Sequence, residues 1–174
     1  LKRLGDRAAR RRGLEPPEIH VIDINTEMLE AGRKRAEDGL FWHEGDAENL
    51  PVDDHAADAH IISFGTRNCT DIAAVLREAR RVLKPGGRFF CLEFSTTLWP
   101  GFGQIYDAYS HHLVPKIGKY VARDEESYRY LIESIRRFPD MERFKAMIGE
   151  AGFVRTSVEP LLGGLVAIHS GWKI

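Results

Sequence analysis

Apolar residues along this chain fall into short uninterrupted runs, separated by longer stretches in which every third or fourth position is apolar. Val21-Ile22 within His20–Ile24, Phe41-Trp42 within Phe41–Glu44, Ile61-Ile62 within Ala59–Phe64 and Phe89–Leu92 within Arg88–Phe94 are runs of strand length. Between the third and fourth runs, Asp71–Leu83 sets Ile72, Val75, Leu76, Ala79 and Leu83 on one stripe, the spacing of an amphipathic helix. Between the first and second, Asn25-Thr26 caps a helix over Glu27–Arg35, with Glu27 in the first turn, where the helix dipole favours a carboxylate. Leu1–Arg12, rich in Arg and Ala, reads as the exposed end of a further helix, closed by Gly13 and Pro16-Pro17.

Strands and helices in alternation are joined by right-handed crossovers and build a parallel sheet. The alternation breaks over Ser95–Phe138, a segment rich in aromatic residues and His. It resumes with a helix over Met141–Ala151, stopped by Gly152, and strands at Val154–Leu161 and Leu165–Ser170. The link through Gly163-Gly164 is too short for a crossover, so these two strands pair as an antiparallel hairpin. The expected fold is α/β: a mostly parallel sheet finished by a C-terminal antiparallel hairpin. It forms one domain over residues 1–174, with about 96–138 inserted as a lid or substrate segment.

Composition narrows the partners. A formal net charge of −1 gives no global basic field to hold nucleic acid. Cys69 and Cys91 lack metal-ligand or redox-pair spacing, which fits a reducing compartment. No apolar run is long enough to span a bilayer, and the Arg-rich first residues lack the apolar centre of a secretion signal.

Candidate chemistry gathers at the carboxyl ends of the strands, where open α/β sheets bind their ligands. Asp23 ends the first strand, and one carboxylate there accepts from both hydroxyls of a ribose; the bland alternative is a helix cap, for which Asn25 and Thr26 are better placed. Asp46 with Ala47 follows the second strand and suits an adenine amino group beside a closely approaching chain; Gly-Asp is also ordinary turn chemistry. Ser63-Phe64-Gly65-Thr66-Arg67-Asn68 ends the third strand, and Arg67 offers a fixed fork of donors to an oxyanion, or forms a structural ion pair with Glu93 at the neighbouring strand end. The inserted segment holds Tyr106, Asp107, Tyr109, His111 and His112; the pairs Tyr106/Tyr109 and Tyr109/Leu113 have helical spacing, which reads by default as a packed aromatic face, and the adjacent histidines point apart, which argues against their sharing a metal.

With these residues together, the chain resembles the UbiE-type quinone C-methyltransferases, which use S-adenosylmethionine. Arg-Val-Leu-Lys-Pro-Gly-Gly at 81–87, followed by an apolar strand closing on Glu93 and Ser95, is similar to the family signature. So are Val21–Asn25 with Met28-Leu29, Asp46-Ala47-Glu48 with Leu50-Pro51, Ser63–Asn68, Tyr106–Ser110, Ser127–Leu131 with Glu133-Ser134-Ile135, and His169–Lys173. The resemblance implies a Rossmann-like sheet whose last strand is antiparallel. It implies S-adenosylmethionine contacts at Asp23 (ribose), Asp46 and Ala47 (adenine) and Ser63 (the amino-acid end), no metal, and a polyprenylated hydroquinone as substrate. The family opens with a strand and a Gly-rich loop under the methionine end of the cofactor; no such glycine cluster precedes Ile19, so the chain is expected to lack that part of the domain and a central strand.

Methyl transfer to a ring carbon needs a phenolate to push charge onto that carbon, so the protein's work is positioning, base assistance and anion stabilisation. Arg67 is the residue expected to stabilise the phenolate or orient the base, with Asp107, Tyr109 and His111 as further candidates. A polyprenyl tail also implies peripheral membrane contact through Trp99–Val121, at the bacterial inner membrane from the cytoplasm or on the mitochondrial matrix side. A homodimer or a quinone-synthesis complex would be compatible partners. Two other readings compete: a non-catalytic methyltransferase-fold subunit of such a complex, and a nicotinamide-dependent dehydrogenase, against which the terminal hairpin and the lack of a catalytic Tyr-Lys or His-Asp arrangement argue.

Overall fold

In a computed structural model the chain is described over residues 2–36, 38–95 and 125–174. It divides into two compact units, Leu1–Pro51 and Val52–Ile174.

The first unit holds helix α1 (Lys2–Arg12), strand β1 (His20–Asp23), helix α2 (Thr26–Arg35) and strand β2 (Phe41–Glu44). β1 and β2 pair in parallel, with His20 beside Phe41 and Asp23 beside Glu44, as a crossover through α2 demands. Asn25 is the cap of α2, its side chain accepting from the backbone of Glu27 and Met28. Leu29 is the residue of α2 buried against this small sheet.

The second unit holds β3 (Ala57–Ser63), a 3-10 turn at Thr66–Asn68, α3 (Ile72–Val82), β4 (Leu83–Phe94), α4 (Glu125–Arg137), α5 (Met141–Glu150), β5 (Val154–Leu161) and β6 (Val166–Trp172). Its sheet runs β3-β4-β6-β5. β3 and β4 are parallel, and β6 lies antiparallel to both β4 and β5, so the expected closing hairpin is present. A second 3-10 turn, Leu162–Gly164, makes its corner, with Gly163 in the left-handed region (φ 69) that a side chain would resist.

The core of this unit lies between one face of the sheet and two helices. Val75, Leu76, Ala79 and Val82 of α3 and Met141, Phe144 and Ile148 of α5 are buried, and Phe89, Cys91 and Phe153 complete the layer. Asp71 caps α3 by accepting from Ala74, so the predicted stripe sits on a helix that starts where the sequence places it. Burial in this layer pushes the Cys91 thiol up to about 12, so it behaves as a small apolar group.

Two boundaries differ from the sequence pattern. β4 begins at Leu83, not at Arg88, because the Pro-Gly-Gly stretch is itself paired: the Gly86 amide donates to Lys173 O at 2.7 Å and the Lys173 amide to Gly87 O at 3.0 Å. Gly86 takes φ +82 to do so. β3 begins at Ala57, which pairs with Leu83 before a register shift. The last residues also tie the helices down. Buried Lys173 donates to Arg80 O and Leu83 O, each at 2.6 Å, capping the carbonyl end of α3. Buried His169 bonds Met141 O through Nε2 at 3.0 Å, fixing the start of α5. No helix among the described residues is long and apolar enough to cross a membrane.

Candidate functional site

The candidate residues fall at strand ends in both units. In the first, Asp23 is the last residue of β1 and is exposed. Its Oδ1 accepts from the Asn25 amide at 2.8 Å, the bond that turns the chain into α2. Its second oxygen has no partner among the described residues, so the turn does not exhaust the carboxylate. Two apolar side chains stand open beside it: Ile24, 67% exposed, directly after Asp23, and Met28, 60% exposed, in the first turn of α2. Sequence pattern reads Ile24 as strand continuation, and Met28 enters there only within a family-like block, with no contact assigned to either.

Asp46 follows β2 through Gly45. Its Oδ1 accepts from the Glu48 amide at 2.9 Å, and its backbone bridges Asn49, so the turn reading is in place. Here too one carboxylate oxygen is left without a partner among the described residues, and Ala47 stands next to it as a side chain too small to obstruct approach.

In the second unit, Ser63 is the exposed last residue of β3. Phe64 then takes a left-handed backbone (φ 54), a strained turn for an aromatic residue, held by its amide donating to Leu92 O at 2.9 Å. This turn swings the chain over the end of β4 and delivers Arg67. The Arg67 side chain is only 11% exposed and pairs with Glu93, 1% exposed, at 2.8 Å from Nη1 to Oε1. The same Nη1 donates to Phe64 O at 2.6 Å. The guanidinium carbon lies 6.0 Å from the Phe64 ring centre and 5.2 Å from that of Phe94, and the two rings pack on each other at 4.7 Å. The Arg67 Nε is buried and has no hydrogen-bond partner among the described residues.

The arrangement joins both readings of Arg67. It is a structural ion pair with Glu93, and it uses only one nitrogen for that pair. The Nε–Nη2 edge, the pair of parallel donors that grips a carboxylate or an oxyanion, has no partner among the described residues. Thr66, fully buried, anchors the turn through Oγ1 to Cys91 Sγ at 3.4 Å. On the other side, Tyr130 of α4 donates its hydroxyl to Asn68 Oδ1 at 3.2 Å. Asp107, Tyr109 and His111, together with Trp99 and Phe102, lie outside the described residues. Among the described residues no cluster of three metal-ligating side chains occurs.

Comparison with known proteins shows which family the chain belongs to. The sequence profile of the ubiE/COQ5 methyltransferase family matches residues 3–173. The chain belongs to the ubiE/COQ5 methyltransferase family. It is 57% identical to the ubiquinone/menaquinone biosynthesis C-methyltransferase UbiE of Zymomonas mobilis over 90% of its length, which covers 66% of that protein. It is 50% identical to the UbiE of Caulobacter vibrioides over 99% of its length, covering 69% of that protein. A mitochondrial 2-methoxy-6-polyprenyl-1,4-benzoquinol methylase of Danio rerio is 54% identical over 91% of the chain, which covers 51% of the relative. The chain thus spans between about half and seven-tenths of these relatives.

Among solved structures, a SAM-dependent methyltransferase of Thermotoga maritima matches 98% of the chain and 78% of its own, with a TM-score of 0.65 at 20% identity. One from Aquifex aeolicus matches 92% and 71%, with a TM-score of 0.61 at 14% identity. At that identity the likeness concerns the fold, and it agrees with the parallel strands and antiparallel closing hairpin of this ubiE/COQ5 family chain.

Proposed function

We propose that the protein carrying this chain methylates a ring carbon of a polyprenylated hydroquinone, with S-adenosylmethionine as donor, in ubiquinone or menaquinone biosynthesis. The observation that carries the reading is the family match over residues 3–173, whose relatives are named for that reaction. The strand ends suit it. Asp23 has a free carboxylate oxygen for a ribose diol, Asp46 and Ala47 offer an acceptor and open space to the adenine amino group, and Ile24 and Met28 offer apolar contact to a purine face. Ser63 takes the amino-acid end. The bound donor supplies a sulfonium-activated methyl group.

The protein's own part is to hold the quinol and favour loss of its phenolic proton. Arg67 does so through its Nε–Nη2 edge, whose N–H groups donate to the phenolate oxygen as charge develops. Asp107, Tyr109 and His111 belong to the segment 96–138, assigned here to substrate contact and lid within one catalytic domain. The same segment, through Trp99 and Phe102, rests on the membrane that holds the tail. That membrane is the bacterial inner membrane, or the mitochondrial inner membrane from the matrix side.

The test is direct. The full protein is incubated with S-adenosylmethionine carrying a labelled methyl group and a short-chain demethylated quinol. The label should enter a ring carbon, and calorimetry should show binding of S-adenosylhomocysteine but not NAD. Label on oxygen, or no transfer with NAD bound instead, would overturn the reading. Liposome flotation with Trp99→Ala and Phe102→Ala checks the membrane contact; unchanged flotation of the double variant refutes it.

A further inference from the structure

The unspent edge of Arg67 is a consequence of how its other side is held, and that hold centres on Glu93. Glu93 is the penultimate residue of β4 and 1% exposed. Oε1 accepts from Arg67 Nη1 at 2.8 Å and from the Phe94 amide at 2.9 Å. Oε2 receives a long contact from the Arg67 amide at 3.4 Å. One carboxylate therefore grips the side chain and the backbone of Arg67 while being fixed to its own strand. Both hydrogens of Nη1 are consumed, one by Glu93 and one by Phe64 O at 2.6 Å. The Phe64 and Phe94 rings, packed on each other at 4.7 Å, add cation–π contact to the held guanidinium.

We infer that Glu93 is a positioning residue for the methyl-transfer reaction: it fixes Arg67 by Nη1 so that the Nε–Nη2 edge is the one offered to the substrate oxygen. The inference rests on the reading of Arg67 given above. A buried arginine with five donors and no fixed partner would present whichever edge thermal motion left free. A hold on one nitrogen makes the fork preorganised, so no reorientation is needed as the phenolate forms. The pair is also neutral, which lets the turn bury Arg67 without an uncompensated charge.

The experiment is carried out on the full protein, with folding followed by circular dichroism and denaturation midpoint. Glu93→Gln keeps an acceptor for Nη1 but loses the charge and places a donor against the Arg67 amide. Its kcat should fall by about tenfold or more, with the quinol KM and S-adenosylhomocysteine Kd within about threefold. Glu93→Asp keeps the charge and the folded state while withdrawing the carboxylate by one methylene, so its kcat should fall to an intermediate value. A carboxylate that serves only to neutralise buried charge would leave the Asp variant at the wild-type rate. In the Arg67→Ala background, adding Glu93→Gln should change kcat by less than about twofold, since a positioning residue has nothing left to position.

Wild-type kcat in both Glu93 variants, with Arg67→Ala slow, would overturn the role of Glu93 and leave that of Arg67 standing. A double variant about tenfold slower than Arg67→Ala would show Glu93 acting on its own and also overturn it. Wild-type turnover in Arg67→Ala would remove the reading of Arg67 itself and the inference with it.

Discussion

The end of β1 and the joined ends of β3 and β4 carry opposite designs. At β1, Asp23 is exposed, spends one oxygen on a local turn, and stands beside the open side chains of Ile24 and Met28. At β3 and β4, Arg67 and Glu93 are buried against each other, with two mutually packed aromatic rings within cation–π range of Arg67, on a backbone turn that strains Phe64. The first end has little to lose if its carboxylate changes, because water and solvent-facing bonds take over. The second is a closed unit whose parts support one another. An open strand end and a closed one are thus distinguishable from burial and hydrogen bonding alone.

The largest effect that would break this contrast is on stability. Arg67→Ala leaves the Glu93 carboxylate buried without its cation, which should cost about 3–5 kcal/mol in urea denaturation. A loss under about 1 kcal/mol would mean that the closed end is far more solvated than its geometry implies.

Acid should strike the second unit next. Burial beside Phe89 pushes His60 down to about 4, and burial also lowers His169. The folded state therefore resists protonation that the unfolded chain accepts. Stability is whole above the unfolded value near 6.5 and falls as pH drops from there toward 4, by about 2 kcal/mol from His60 at around pH 5. Denaturation midpoints at neutral and mildly acidic pH test this, and His60→Phe should flatten the slope. A midpoint independent of pH across that window contradicts it.

The smallest structural effect belongs to the open end. Asp23→Asn should alter stability by less than about 0.5 kcal/mol while weakening S-adenosylhomocysteine binding by about 10- to 100-fold, the worth of charged bonds to two hydroxyls. Calorimetry and a melting curve on the same variant separate the two quantities. A stability loss without an affinity loss would make Asp23 only a turn residue.

Local features were legible in the sequence. The stripe from Ile72 to Leu83, the Asn25 cap and the closing hairpin each follow from residues within a few positions of one another, and each is present. The ion pair of Arg67 with Glu93 was also foreseeable as an alternative, because both sit at neighbouring strand ends. What escaped was set by distant partners. The early start of β4 depends on Lys173, and Lys173 Nζ caps α3 across 93 residues of chain, a relation no periodicity encodes. Likewise, Ile24 and Met28 look like core residues until the fold leaves them in the open, since an apolar letter carries no sign of which face it will meet. The arrangement of Arg67, with Nη1 committed to the fold and the Nε–Nη2 edge without a partner among the described residues, exists only in three dimensions.

The central claim is that Arg67 acts on the reacting oxygen through a fork, not merely through its charge. The measurement is the single-turnover rate of methyl transfer in Arg67→Lys at saturating S-adenosylmethionine, beside the Kd for S-adenosylhomocysteine. Lysine keeps the pair with Glu93 but has no second edge, so the rate should fall about 100-fold with Kd within about threefold of wild type. A rate within about twofold of wild type, or an equal loss in rate and affinity, would contradict the account.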